Sequence, residues 1–154
     1  MPRRRGSRVP DEPGATLDQL VGYCLAFDPA DPQISVEVER LQNEVVLRMT
    51  HAAYPDRHAR VSASTTSWIE LSIDGGFGLW SADDQAPAHE WGEYIVDYAA
   101  LGARYLVNGA EERFSRTLGI PMRVLDADRG WRGIAQLSVN QQARYLWRRL
   151  WRRR

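Results

Sequence analysis

Trp68-Ile69-Glu70-Leu71-Ser72-Ile73-Asp74-Gly75-Gly76-Phe77-Gly78-Leu79-Trp80 has the pattern of two strands joined by a tight turn. Ile69, Leu71 and Ile73 alternate with Trp68, Glu70 and Ser72, the period of two that sends one set of side chains into a core and the other to the opposite face of a sheet. Asp74-Gly75-Gly76 reads as a turn whose glycines tolerate positive φ, and Phe77 to Trp80 returns antiparallel. Just upstream, Val61 to Thr66 is an extended Ser/Thr-rich stretch. Residues 34–51 admit two readings. Ile34, Val38, Leu41, Val45, Met49 and Ala52 share a helical face, yet Ile34, Val36 and Val38, and then Val45, Leu47 and Met49, also alternate as strands do. The β-branched content favours a hairpin that turns at Gln42-Asn43-Glu44.

Helices flank this β-rich centre. Thr16 is placed to cap a short helix with the stripe Leu17, Leu20, Val21, Cys24 and Leu25, which ends at Asp28-Pro29-Ala30-Asp31-Pro32. After a polar loop at 83–88, Trp91, Tyr94, Ile95, Tyr98, Leu101, Gly102, Tyr105 and Leu106 fall in one arc, with Glu93, Asp97 and Arg104 opposite. Asn108-Gly109 stops that helix, and a second short helix is expected through Phe114 and Leu118 to Gly119. Met122 to Leu125 reads as one more strand, residues 126–137 as a loop, and Ser138 with Gln141 as the capping box of a last helix. The expected fold is therefore α+β: a single domain over 16–154, an antiparallel sheet packed by helices, with an amphipathic C-terminal helix. Residues 1–15, rich in Arg, Pro and Gly, read as a disordered arm.

Charge is distributed unevenly. All 20 basic residues are arginine; the chain has no lysine, so a phosphate-loop lysine, a Schiff base and a lysine general base are excluded. The missing lysine reads as the codon bias of a GC-rich bacterial genome. Residues 1–8 carry four arginines, residues 129–154 carry eight and no acid, and 9–128 hold the other eight arginines with all 20 acids. The net charge of zero thus hides an acidic body between basic ends. One cysteine, Cys24, forms no internal disulfide, and no signal-peptide pattern or membrane-length apolar run of ~20 residues occurs. A bacterial cytoplasmic location is expected.

His89-Glu90-Trp91-Gly92-Glu93 begins like the zinc-protease pattern but has Glu93 in its fifth position, and a metal site needs at least a third ligand. Asp56-Arg57-His58 reads as an ordinary turn after Pro55 rather than as an oriented imidazole. Cys24 lies on an apolar helix stripe, where a thiol is inert. Gly75-Gly76-Phe77-Gly78 lacks nucleotide-loop spacing. No catalytic residue, metal or cofactor is expected.

What remains is tryptophan and acid. Trp68, Glu70, Asp74, Trp80, Asp83, Asp84, Glu90 and Glu93 form the expected partner-binding set, with Trp91 assigned to the core. Trp68-Ile69-Glu70-Leu71, then Gly75-Gly76-Phe77, then the helix carrying Arg104-Tyr105 give residues 60–125 a layout that resembles small actinobacterial immunity partners of polymorphic toxins. The resemblance implies a non-enzymatic inhibitor that masks a toxin's active site, often with acidic surface against a basic toxin. A second reading uses the arginine-rich ends. In the last helix Val139, Ala143, Leu146 and Leu150 form a docking stripe, and Arg144, Tyr145, Arg148, Arg149, Trp151 and Arg152 form a basic surface. Arginine beside aromatics suits nucleic acid or an acidic protein. A third reading is an enzyme whose site carries no sequence motif.

Overall fold

A computed structural model describes residues 12–116, 119–125 and 132–136. Among the described residues, eight strands form one antiparallel sheet: β1 (Ile34–Arg40), β2 (Glu44–His51), β3 (Tyr54–Ser64), β4 (Trp68–Ile73), β5 (Phe77–Ala82), β6 (Glu111–Ser115), β7 (Ile120–Leu125) and β8 (Arg132–Gln136). Their spatial order is β1-β2-β3-β4-β5-β8-β7-β6. Two helices, α1 (Leu17–Ala26) and α2 (Ala88–Asn108), pack on one face, α2 across β2, β3 and β4, and α1 against α2 and β1 to β3. The chain is an α+β domain, and no helix among the described residues is long and apolar enough to cross a membrane.

The alternation read from sequence sets the two faces. Ile69, Leu71 and Ile73 of β4 point to the helices with Val45, Leu47 and Met49 of β2 and Ala59, Val61 and Ala63 of β3. Trp68, Glu70 and Ser72 stand on the outer face, away from the helices. Residues 34–51 are the hairpin, with Ile34 opposite His51 and Arg40 opposite Val45. Asp74–Gly76 is a single helical turn in which Gly75 and Gly76 take φ of +79° and +74°, angles that a Cβ strongly disfavours.

In α2, Trp91, Ile95, Tyr98, Leu101, Gly102, Tyr105 and Leu106 are buried and Tyr94 half-buried, while Glu93 and Asp97 face solvent. At the start of α1 the Thr16 hydroxyl accepts from the Gln19 amide, and the Gln19 side chain accepts from the Thr16 amide. Because both bonds satisfy otherwise orphaned donors, Thr16→Ala should cost about 1 kcal/mol in a denaturant melt. Leu25, at the edge of the expected stripe, is 68% exposed.

Two expectations fail. The segment at 111–115 is not a second helix but strand β6, paired with β7 from Glu111 opposite Val124 to Ser115 opposite Ile120. A single short turn of helix gains few hydrogen bonds for the residues it fixes, whereas the hairpin joins a ladder that β7 continues into β8. Phe114, the presumed helix anchor, is 64% exposed. Nor is 126–137 wholly a loop: within it β8 pairs with β7 and, through Ala135 and Gln136, with β5. Pro13 and Gly14 form bridges to Pro87, and the Gly14 amide donates to the Ala86 carbonyl at 2.8 Å.

Candidate functional site

The expected partner-binding residues fall into four places. Trp68, Glu70 and Trp80 share the outer sheet face. Glu70 lies directly opposite Trp80, and Trp68, opposite Ala82, is the diagonal neighbour of Trp80, a relation of ~7–8 Å that aromatic side chains span. Both tryptophans are half-buried. Glu90 and Glu93 sit on α2, in the layer on the other side of the sheet. Asp83 and Asp84 occupy the loop before α2. The Asp83 carboxylate accepts from the Gln85 and Ala86 amides at 3.0 and 3.1 Å and from the Tyr94 hydroxyl at 3.3 Å, so it shapes the entry to the helix. Asp84 is exposed. The basic set Arg144, Tyr145, Arg148, Arg149, Trp151 and Arg152 lies outside the described residues, as does the last helix.

Asp74 belongs elsewhere, at the opposite end of β4 from Trp68. Its carboxylate accepts from the Tyr105 hydroxyl and the His58 amide, both at 2.7 Å, and meets His58 Nδ1 at 3.3 Å. Desolvation pushes this carboxyl up, but the bonds from Tyr105 and His58 outweigh it and hold the group below the usual carboxylate range. Burial, and then the bond to Asp74, push the Tyr105 hydroxyl up to about 12.

Sequence reasoning gave Asp56-Arg57-His58 to a turn; the structure puts all three in β3 and orients the imidazole with Asp74, not Asp56. Arg57 donates to the Leu106 and Val107 carbonyls at 3.0 Å each and stacks 4.1 Å over the Tyr54 ring. A guanidinium at a helix C-terminus meets both the orphan carbonyls and the negative end of the dipole. Together Arg57, His58, Asp74 and Tyr105 tie the end of α2 to β3 and the β4–β5 turn. Only pairing across 16 to 50 positions brings them together, and no local pattern announces that.

Asp74, depressed in the fold, contributes stability above its unfolded value near ~3.9 that is lost as pH falls through its lower folded value. Tyr105, raised, contributes stability that is lost as pH rises from ~10 through its folded value. Asp74→Asn should flatten the acid limb of a stability–pH curve, and Tyr105→Phe the alkaline limb.

His51, only 3% exposed, is similarly occupied: Nδ1 accepts from the Ala53 amide and Nε2 donates to Asp31, both at 3.1 Å. The Gln33 amide first, and His51 second, hold the Asp31 carboxyl low. His89 lines a cavity of about 610 Å³ with Thr16, Gln19, Tyr23 and Thr65, between the starts of the two helices. Among the described residues no group of three His, Cys, Asp or Glu side chains is placed to hold a metal ion. Cys24 is buried, and desolvation pushes its thiol up to about 12, away from nucleophilic use. No protein-family model matches the chain, and neither a curated protein nor a solved structure matches it.

Proposed function

We propose that the chain is a non-catalytic binding protein that receives a basic partner protein on the outer face of its sheet, in the manner of an immunity-type inhibitor masking a toxin. The observation that carries this reading is the Trp68, Glu70 and Trp80 unit on the face that neither described helix covers. A tryptophan in the core serves packing, as Trp91 does; Trp68 and Trp80 are half-buried on the other side of the sheet from that core. Buried tryptophan anchors carry much of the energy at protein interfaces. The acidic middle of the chain, −12 over 9–128 from eight arginines and 20 acids, favours a basic partner and speeds its encounter.

The test is co-expression with a toxin-like protein encoded beside this gene. Wild type and Glu93→Arg should restore growth, because Glu93 stands on the helical layer, whereas Trp68→Ala and Trp80→Ala should not. Circular dichroism establishes that each variant folds. Failure of the wild type to protect, or full protection by both tryptophan variants, overturns the reading.

A further inference from the structure

Phe114 is the anomaly of β6. Large aromatic rings are mostly covered, yet this one is 64% exposed, and it stands on an edge. Among the described residues β6 pairs with β7 alone and ends the sheet. Phe114 lies opposite Pro121, and the two line a hollow of about 450 Å³ together with Phe77. Glu112, two positions earlier and so on the same face, meets Arg123 at 2.8 Å. The Arg123 guanidinium in turn lies 4.8 Å from the centre of the Phe77 ring. Arg116 follows two positions after Phe114, at the start of the turn, and is exposed. The edge thus presents an acid, an aromatic ring and a base, in that order.

Such an order is complementary to itself. An edge strand offers its N–H and C=O groups to any strand laid beside it. Two copies of one strand can do this antiparallel, about a two-fold axis perpendicular to the sheet. With the axis at Phe114 the two rings stand opposite each other, and Glu112 of each copy stands opposite Arg116 of the other. Arg113 then faces Ser115. An axis at Arg113 would set arginine against arginine, and one at Glu112 carboxylate against carboxylate. Directly opposed like charges destabilise a ladder, whereas opposite charges and aromatic pairs stabilise it. Charged residues usually protect an edge from pairing; in the Phe114 register they attract instead.

We infer that the chain self-associates as a two-fold dimer through β6, with Phe114 against Phe114 and Glu112 against Arg116 across the axis. The two sheets then continue into each other. A ladder this short buries little surface, so the dimer is concentration-dependent rather than permanent. Three strands separate β6 from β4, which keeps this interface apart from the Trp68 and Glu70 face.

Sedimentation equilibrium of the full chain, from about 1 µM to about 1 mM, tests the dimer without any binding partner, and so stands apart from the co-expression result. Wild type should show a monomer–dimer equilibrium with nothing larger, because a two-fold interface closes on itself. Glu112→Arg sets arginine against arginine and Arg116→Glu acid against acid, and each alone should raise Kd by about tenfold or more. Mixed in equal amounts, the two variants bring opposite charges together at both positions and should form a heterodimer of near wild-type affinity. Should Glu112→Arg fail to fold without its bond to Arg123, as circular dichroism would report, Arg116→Glu and Phe114→Asp decide, each again with a rise of about tenfold or more. A wild type that stays monomeric throughout, growth past the dimer, a dimer indifferent to these changes, or folded variants that do not associate when mixed overturns the inference.

Discussion

Trp91→Ala should lower the melting temperature by roughly 10–20 °C, the conversion of a 3–5 kcal/mol loss in a chain of this size. The indole is 1% exposed at the start of α2 and meets Tyr94 edge-on, with ring centroids 5.3 Å apart at 74°. Alanine leaves a cavity where the first turns of the helix join the core. The loss is a large share of the ~5–15 kcal/mol that holds a domain folded. The side chain contributes by packing alone, for its Nε1 has no hydrogen-bond partner among the described residues. Trp91→Phe, which keeps much of the volume and removes an unsatisfied donor, should therefore be much milder. Equal losses in the two variants, read by thermal circular dichroism, would show that the donor matters and the packing account is wrong.

Gly102→Leu should be still more damaging. A Cβ at position 102 would stand 2.7 Å from Met49 Cε, 3.1 Å from Ala59 Cβ and 3.3 Å from Leu71 Cδ1. The methionine end can swing aside, but Ala59 Cβ is fixed to the backbone of β3, so α2 itself would have to lift from the sheet. Gly102→Ala sets helix propensity, a gain of up to ~1 kcal/mol, against overpacking of ~1–3 kcal/mol, and should be modestly destabilising. Leucine keeps nearly the same propensity gain and drives three more carbons into the same contact. The expected denaturation curve for Gly102→Leu has lost cooperativity or several kcal/mol of stability, while a surface change such as Glu93→Arg is silent.

What was legible in the sequence was whatever repeats locally. The two-residue alternation of β4 placed Ile69, Leu71 and Ile73 inside and Trp68 and Glu70 outside, and the arc of α2 named seven buried positions and one half-buried. The β-branched residues of 34–51 outweighed their helical spacing because the hairpin lets β2 pair with β1 on one edge and β3 on the other. The misses are non-local. Strands β6 and β8 are five residues each and owe their form to pairing partners. The Arg57, His58, Asp74 and Tyr105 cluster joins three elements far apart in sequence. The acidic residues looked contiguous along the chain, but the sheet separates Trp68, Glu70 and Trp80 from Glu90 and Glu93, and the Asp83 carboxylate is engaged by the loop amides.

The most direct measurement of the binding reading is the dissociation rate of the complex with the basic partner, compared between two substitutions on opposite sides of the sheet. Trp68→Ala should raise the rate by about thirtyfold, the equivalent of ~2 kcal/mol for a tryptophan anchor, and Glu93→Arg should leave it within about twofold, as expected of a residue outside the interface. The reverse pattern, an unchanged rate in Trp68→Ala and a large rise in Glu93→Arg, would move the interface to the helical layer and contradict the account.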